Sequence, residues 1–285
     1  FGRYPALKAI GYCLSTLLLL MGIQSMYQKF YAARSAREAR AAVGVWILGT
    51  IVVEVVVVAI AVYASSYDAE HGLGWDARAM VLQAARNMVP LPVGVLLLGA
   101  ACAVVISTGM NYLLSPSTNV MRDVYQRFLN PDADPRRMAA LQKIVVVVIG
   151  FLAFLAIFVP TALKSDISVL KYSYFAYTMY GVAITPALLA ALVWKRATRL
   201  GGVLSIVLGT LSTLVFEVIV PWAWPEVMLG APGAASGDVF GRDPWGIPGI
   251  FLSFAVSLSG LVVGSYVSAP PTKEELEPFF GAARS

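Results

Sequence analysis

Charged residues are scarce in this sequence of 285 residues. They make up 13% of it, whereas 59% of the residues are hydrophobic and the mean hydropathy is +0.75. A soluble domain usually contains about 25% charged residues and about 45–50% apolar ones. The shortage of charge excludes a water-soluble globular domain and a disordered chain, and it predicts an integral membrane protein.

Reactive side chains are scarce as well. The sequence has two cysteines, Cys13 and Cys102, both within apolar runs, and one histidine, His71. This supports neither a disulfide framework nor a zinc site. The sequence also lacks a glycine-rich phosphate loop, a Ser-His-Asp set and a carboxylate pair, so we expect no enzyme activity and no cofactor. Because the basic residues lie between apolar runs, we expect no nucleic-acid binding.

Long apolar runs occupy most of the chain. A helix needs roughly 20 apolar residues to cross a hydrocarbon core about 30 Å thick. Seven runs reach this length, which predicts an all-α, polytopic membrane helix bundle in the lipid bilayer. The predicted spans are about 6–31, 41–65, 92–119, 144–163, 167–194, 201–220 and 247–267, with an outer amphipathic helix at 76–88.

The connections between the spans differ in charge. Those after the first, third and fifth spans are rich in Lys and Arg, and the others are poorer in them. Short basic loops stay in the cytoplasm, so the first span is predicted to start outside and the chain to end in the cytoplasm. The predicted location is the inner (plasma) membrane of the cell, which the chain crosses several times. The chain starts at Phe1, already close to an apolar span, so we expect a fragment whose N-terminal part is missing.

The third span has the most polar residues. Ser107, Asn111, Ser115 and Thr118 are three or four positions apart and therefore share one face of a helix. Ser107 and its neighbour Thr108 offer hydroxyl oxygens, which suit a small hard cation. The alternative is that these hydroxyls bond to their own helix or join neighbouring helices.

Two other spans contain candidate substrate contacts. The stretch Gly22–Ser25, which includes Gln24, marks either an unwound point, as in transporters with broken helices, or a helix end. In the fifth span, Tyr174, Tyr177, Thr178 and Gly181 share a face. That face either lines a substrate path or packs against another helix.

Two further positions in the spans call for an explanation. Glu54 lies in the middle of the second span, where an ionised carboxylate costs roughly 2.5–3.5 kcal/mol, so it must be paired, protonated or hydrated. An ion-binding role for Glu54 stays open.

Gly260 and Gly264 form a small-xxx-small pair, which predicts a helix-packing face.

Two stretches together resemble the solute:sodium symporter family, which includes bacterial proline and pantothenate symporters and the sodium/glucose cotransporters. The first is Gly22–Ser35, with the sequence GIQSMYQKFYAARS. The second is Ala103–Pro131, with a Ser-Thr pair, a later Ser-Pro-Ser-Thr cluster and Asp-Val-Tyr. Thr185–Gly202 and the tail from Pro270 match more weakly, and the similarity covers essentially the whole sequence in order.

The resemblance implies a leucine-transporter-type fold, in which two inverted repeats of five helices hold ion and substrate near the midplane. Residues 1–194 are then core helices six to ten, the second repeat. Residues 195–268 are two peripheral transmembrane helices, and residues 269–285 are a cytoplasmic tail.

The resemblance also implies the sites. Sodium is expected to bind the hydroxyls of Ser107 and Thr108 and the carbonyl of Val104, with further carbonyls from a first core helix that this sequence lacks. Gln24 and the Tyr174–Gly181 face are the implied substrate contacts.

The expected function is sodium-coupled symport of a small organic solute by alternating access, with sodium as coupling ion. One alternative is a symporter-like sensor module of a membrane signalling protein, which a cytoplasmic kinase region after Ser285 would favour. Another is an unrelated packing or channel subunit, which would show no sodium-coupled accumulation.

Overall fold

A computed structural model describes residues 6–162, 169–224 and 243–280. Within these ranges every regular element is helical. Leu163 and Ile167, which end and begin two predicted spans, lie outside the described residues. So do residues 225–242, in the connection before the last span, and residues 281–285 of the predicted tail.

Eleven α-helices occur in the described residues. Their bounds are α1 Ala6–Gly22, α2 Gln24–Tyr31, α3 Ala36–His71, α4 Met80–Asn87, α5 Leu91–Asn119, α6 Pro135–Ala162, α7 Val169–Val193, α8 Arg199–Leu214, α9 Val220–Ala223, α10 Gly249–Val267 and α11 Lys273–Phe280. The π-helical segments Val120–Leu129 and Val215–Ile219 continue α5 and α8. Short 3-10 turns, Ala77–Ala79 and Pro244–Gly246, precede α4 and α10.

Six helical stretches among the described residues are long and apolar enough to cross a membrane. They comprise α3, α5, α8 and α10, with the helical continuations of α5 and α8, and most of α6 and α7, and the bent pair of α1 and α2 makes a seventh if it is counted as one span. The prediction of an all-α, polytopic membrane protein is confirmed.

Several helices extend beyond the apolar runs that identified them. The π-helical segment carries the helix of α5 past Asn119 to Leu129, and α6 begins at Pro135, well before the predicted start at 144. Apolar composition marks only the part of a helix that suits hydrocarbon, whereas the backbone hydrogen bonds continue into the polar flanks. The start of α3 is set by capping, since the Ser35 hydroxyl accepts a hydrogen bond from Glu38 N.

The helices form two compact units, the first of which comprises the chain up to Met26 and from Ala153 onward. Here small residues bring α8 and α10 into close contact. A Cβ atom added to Gly201 would lie 2.7 Å from the Leu261 carbonyl oxygen, and one added to Gly264 would lie 2.8 Å from the Cα of Gly201. Gly260 is also buried against α8, so the predicted packing face of Gly260 and Gly264 is confirmed.

The second unit is Tyr27–Leu152. A small apolar cluster of Ala64, Met80 and Ala84 packs α4 against α3, in the region where the outer amphipathic helix was predicted. The Gln142 amide donates a hydrogen bond to the Thr118 hydroxyl at 2.9 Å, which links α6 to α5. Most of the surface of these spans is exposed and apolar, and Glu54 lies on the exposed surface of α3.

The tail helix α11 starts with a capping box. Glu275 N donates to the Thr272 hydroxyl, and Thr272 N donates to the Glu275 carboxylate at 3.0 Å. This backbone N–H is the largest cause that holds the pKa of Glu275 below its usual range, and the guanidinium of Arg199, 2.9 Å from the carboxylate, adds to it. Near α11, Trp194 and Phe280 help to line an open cavity of about 830 Å³.

Candidate functional site

The first span is broken at Ile23. α1 ends at Gly22, α2 begins at Gln24, and the two helix axes differ in direction by 50°. A break frees backbone groups that a continuous helix would pair internally. The stretch Gly22–Ser25 is therefore a point of helix interruption within an apolar span, as one of the two sequence interpretations predicted.

Two side chains of α7 bind carbonyl groups in the last turn of α1. The Thr185 hydroxyl donates to the Leu18 carbonyl at 2.6 Å, and the Tyr180 hydroxyl donates to the Gly22 carbonyl at 3.3 Å. Thr185 is fully buried. Gly22 is needed at this contact, because a Cβ atom there would collide with the Thr185 hydroxyl. The end of α1 is thus fixed to α7 rather than left open.

The tyrosines predicted to line a substrate path lie on α7. The ring of Tyr174 stacks on the ring of Tyr12 from α1, with 4.0 Å between centroids. Tyr177 meets Tyr174 edge to face, with 5.7 Å between centroids. Gln24 is half-buried at the first position of α2. The structure thus brings the two tyrosines together beside α1.

The other two residues of this α7 face are buried against α1. The Thr178 hydroxyl lies 3.0 Å from that of Ser15, and Thr178 is only 3% exposed. A Cβ atom added to Gly181 would lie 2.8 Å from the Cβ of Leu18. These contacts match the alternative of plain helix packing, and a role of the face in substrate binding stays a prediction.

The predicted sodium ligands lie on α5 in the second unit. Val104, Ser107 and Thr108 are all exposed, and the Ser107 hydroxyl donates to the Val104 carbonyl at 3.0 Å. The structure therefore brings two of the predicted ligand oxygens together within one helical turn. This is also the hydrogen bond to the helix's own backbone that the alternative interpretation expected.

The two interpretations of this hydroxyl are chemically compatible. A hydroxyl that donates its one proton keeps its oxygen lone pairs as acceptors, and a carbonyl oxygen has a second lone pair. Both oxygens can therefore still face a cation. Because hard cations take about six or more oxygen ligands, an ion held at this exposed helix face needs further oxygens from another segment.

Sequence reasoning missed a buried charged cluster in the first unit. The Lys8 ammonium contacts the Asp243 carboxylate at 2.7 Å, and both side chains are largely buried. Glu217, in the π-helical segment after α8, is 5% exposed, and Thr178 hydrogen-bonds its carboxylate. A cavity of about 30 Å³ is lined by Ser15, Thr178, Glu217 and Asp243. Lys8 does not line the cavity but contacts Asp243.

One signal for this cluster was present in the sequence. Glu217 is an ionisable residue in the apolar sixth span, and such residues are functional candidates by default. Asp243 carried no comparable signal, because it lies in a polar connection 235 positions from its partner Lys8.

Comparison with known proteins assigns a family. A sequence profile described as the sodium:solute symporter family matches residues 6–209. A sodium/proline symporter of Haemophilus influenzae is 34% identical over 142 residues, which are 49% of this chain and 27% of that protein. A sodium/proline symporter of Salmonella typhimurium is 26% identical over 64% of this chain and 34% of its own length. An osmoregulated proline transporter of Bacillus subtilis is 27% identical over 42% of this chain and 23% of its own length.

These matches span about a third or less of the length of the relatives. No solved structure matches the chain. The family profile covers well over half of the chain, and it runs through the broken first span, the Ser107–Thr108 pair and α7. The chain belongs to the sodium:solute symporter family.

Proposed function

We propose that this protein carries out sodium-coupled symport of a small organic solute across the plasma membrane, by alternating access. The match of the family profile over residues 6–209 carries this proposal. The bent pair of α1 and α2, together with α3, α5, α6 and α7, corresponds to core helices six to ten, the second inverted repeat. α8 and α10 correspond to the two peripheral helices.

In this proposal the sodium ligands on α5 are the hydroxyls of Ser107 and Thr108 and the carbonyl of Val104. Their exposure on one helix face suits a site that is completed by oxygens from another core helix. A tenfold sodium gradient supplies ~1.4 kcal/mol, and 100 mV supplies ~2.3 kcal/mol per charge moved. Sodium transmits this energy only if it binds one conformation more tightly than another. Ligands on two helices that separate on opening provide that difference.

Proline is the first solute to test. The relatives from Haemophilus influenzae and Salmonella typhimurium are sodium/proline symporters, and the one from Bacillus subtilis is a proline transporter. The break at Ile23 supports a solute site near the start of α2, because the N-terminal end of a half-helix presents backbone N–H groups to the carboxylate of a zwitterionic ligand. Gln24 is the side chain proposed to contact the solute there, and Tyr177, which packs on Tyr174 beside an earlier part of α1, is proposed to line the path to it.

The test of the sodium site is the Ser107→Ala and Thr108→Ala pair in the complete gene product that contains this sequence. Each variant removes one ligand oxygen, so we expect the sodium concentration for half-maximal uptake to rise about tenfold or more, equivalent to roughly 1.4 kcal/mol or more. The measurement is uptake of labelled proline into proteoliposomes over a range of sodium concentrations at constant ionic strength.

Matched controls are available on the peripheral helices. Ser259→Ala and Thr210→Ala also remove one exposed hydroxyl each, and both hydroxyls bond only to a carbonyl one turn back on the same helix, at 2.8 Å. These controls should leave the sodium dependence unchanged. An unchanged sodium dependence in both Ser107→Ala and Thr108→Ala would contradict the site. Absence of any sodium-dependent accumulation would contradict the proposed function itself.

A further inference from the structure

The buried cluster around Glu217 belongs to the first unit and includes none of the proposed sodium ligands, which lie on α5 in the second unit. It joins four elements of the first unit at the end where α1 begins. Lys8 comes from α1, Thr178 from α7, Glu217 from the π-helical segment after α8, and Asp243 from the start of the turn before α10. A membrane protein that places two carboxylates in its interior must neutralise them.

The charges of this cluster do not balance among the described residues. One ammonium, that of Lys8, faces two carboxylates, and it is in direct contact with Asp243 at 2.7 Å. Glu217 is almost completely buried, and its side chain receives a hydrogen bond from the neutral Thr178 hydroxyl. An ionised Glu217 is therefore compensated only in part.

The backbone brings the Glu217 carboxylate into this position. Glu217 lies in the π-helical segment Val215–Ile219, and single π-helical turns often occur at functional sites because they redirect a side chain. Across from it is Gly249, where an added Cβ would lie 2.6 Å from the Glu217 Cγ. The absence of a side chain at Gly249 makes room for the carboxyl group next to the cavity of about 30 Å³.

A chain of hydroxyls continues from Glu217 into α1. The Thr178 and Ser15 oxygens are 3.0 Å apart, and Ser15 donates to the Gly11 carbonyl at 3.0 Å. If Glu217 carries a proton, it donates to Thr178, Thr178 donates to Ser15, and Ser15 donates to Gly11. If Glu217 is ionised, the Thr178 hydroxyl turns and donates to the carboxylate. Both protonation states can therefore satisfy the same hydroxyls.

We propose that the Glu217 carboxyl group is a proton-binding site, and that its protonated form holds α1 to the helices α7, α8 and α10. The proton comes from water at the end of the bundle that is predicted to face outside, and it converts the carboxylate to a neutral hydrogen-bond donor. Among the described residues, the other titratable groups facing the cavity are Asp243, Tyr12 and Tyr174, with Lys8 paired to Asp243. A proton suits this cavity of about 30 Å³ better than a metal cation, because a proton needs a single carboxyl oxygen whereas a hard cation takes about six or more oxygen ligands.

The direct test is an infrared pH titration of the complete gene product in lipid nanodiscs. The wild type should show the C=O band of a buried protonated carboxyl group at neutral pH, and raising the pH should remove it. Glu217→Gln should lack the band. Glu70→Gln, which makes the same change at an exposed position near the end of α3, should retain it. Absence of the band in the wild type, or its persistence in Glu217→Gln, overturns the proposal.

Thr178→Val provides a second variant that keeps the carboxyl group. It removes a hydrogen bond from both protonation states, and the bond to the ionised carboxylate is the stronger of the two, so the band should persist to a pH about one unit higher, equivalent to about tenfold tighter proton binding. A band that disappears at the wild-type pH in this variant contradicts the hydroxyl chain.

Sodium is tested as the competing occupant in the same experiment. Replacing choline chloride with sodium chloride at fixed pH should leave the band unchanged. Loss of the band on adding sodium would show that the cavity binds a metal ion instead of a proton. Thermal unfolding gives an independent readout, because a carboxyl group that is protonated in the folded state and ionised in the unfolded state makes the free energy of unfolding depend on pH. That dependence should be smaller in Glu217→Gln. None of these measurements requires transport, so their failure is distinct from failure of the proposed symport.

Discussion

At the scale of single residues, Thr185 fixes the broken end of the first span. Its hydroxyl donates to the Leu18 carbonyl at 2.6 Å from a fully buried position. Hydrogen bonds between membrane helices contribute about 0.6 kcal/mol on average and up to about 1.7 kcal/mol. This bond is short and connects two helices, so it belongs toward the upper part of that range.

We therefore expect Thr185→Val, which keeps the shape and removes the hydroxyl, to lower the free energy of unfolding by about 1–1.7 kcal/mol. Equilibrium unfolding of the complete gene product in mixed micelles measures this. Thr185→Ser keeps the donor and should lose less. Thr210→Val is the control, because the Thr210 hydroxyl bonds only to its own helix. Equal losses in Thr185→Val and Thr210→Val would contradict the assigned role.

At the scale of elements, the contact of α8 with α10 depends on which glycine faces the partner helix. Gly201 and Gly202 are neighbours in the first turn of α8. A Cβ atom at Gly201 would lie 2.7 Å from the Leu261 carbonyl oxygen, whereas one at Gly202 would have Ala187 Cβ as its nearest neighbour, at 4.0 Å. The first contact involves backbone, which cannot move aside.

Gly201→Ala should therefore destabilise the protein by about 1–3 kcal/mol through overpacking. Gly202→Ala should be neutral or stabilising by about 0.5–1 kcal/mol, because alanine loses less backbone entropy than glycine in a helix. Midpoints of thermal unfolding in the same detergent compare the two variants. The opposite order of stabilities would show that α8 does not pack against α10 in this register.

The elements also show how far the sequence predicts this fold. Apolar runs predicted the membrane spans, because a hydrocarbon core requires them, and Gly22–Ser25 pointed to the break at Ile23. The π-helical continuations of α5 and α8 were not predicted, because a π-helix differs from an α-helix in its backbone hydrogen-bond pattern and the amino-acid composition does not reveal that difference. Of the two carboxylates in the predicted spans, Glu54, which stood out in a run of valines, is exposed, whereas Glu217, which was not predicted to have a role, is buried. Burial depends on which helices pack together, and composition does not encode that directly.

At the scale of the whole molecule, the distribution of Lys and Arg predicts its orientation in the membrane. Residues 120–143, between the third and fourth predicted spans, contain five Lys and Arg residues, whereas residues 66–91, between the second and third, contain two, so the two stretches should lie on opposite sides. Leu73 and Asp132 are exposed positions in these two connections.

We expect an impermeant maleimide to label Leu73→Cys in intact cells and to label Asp132→Cys only after the membrane is permeabilised. The background protein carries serine in place of Cys13 and Cys102, the two native cysteines. Labelling of Asp132→Cys in intact cells, with protection of Leu73→Cys, would reverse the predicted orientation.

The length of α3 has a mechanical consequence. A helix of 36 residues is ~54 Å long, whereas the hydrocarbon core is about 30 Å thick. α3 must therefore tilt or project from the bilayer, and its contacts with α4 through Ala64 and Met80 lie toward its C-terminal end. A change in bilayer thickness then changes the tilt of α3 and displaces α4, which packs against its C-terminal part. The tilt of α3, and with it the contact of α3 with α4, should therefore respond to the acyl-chain length of the lipid.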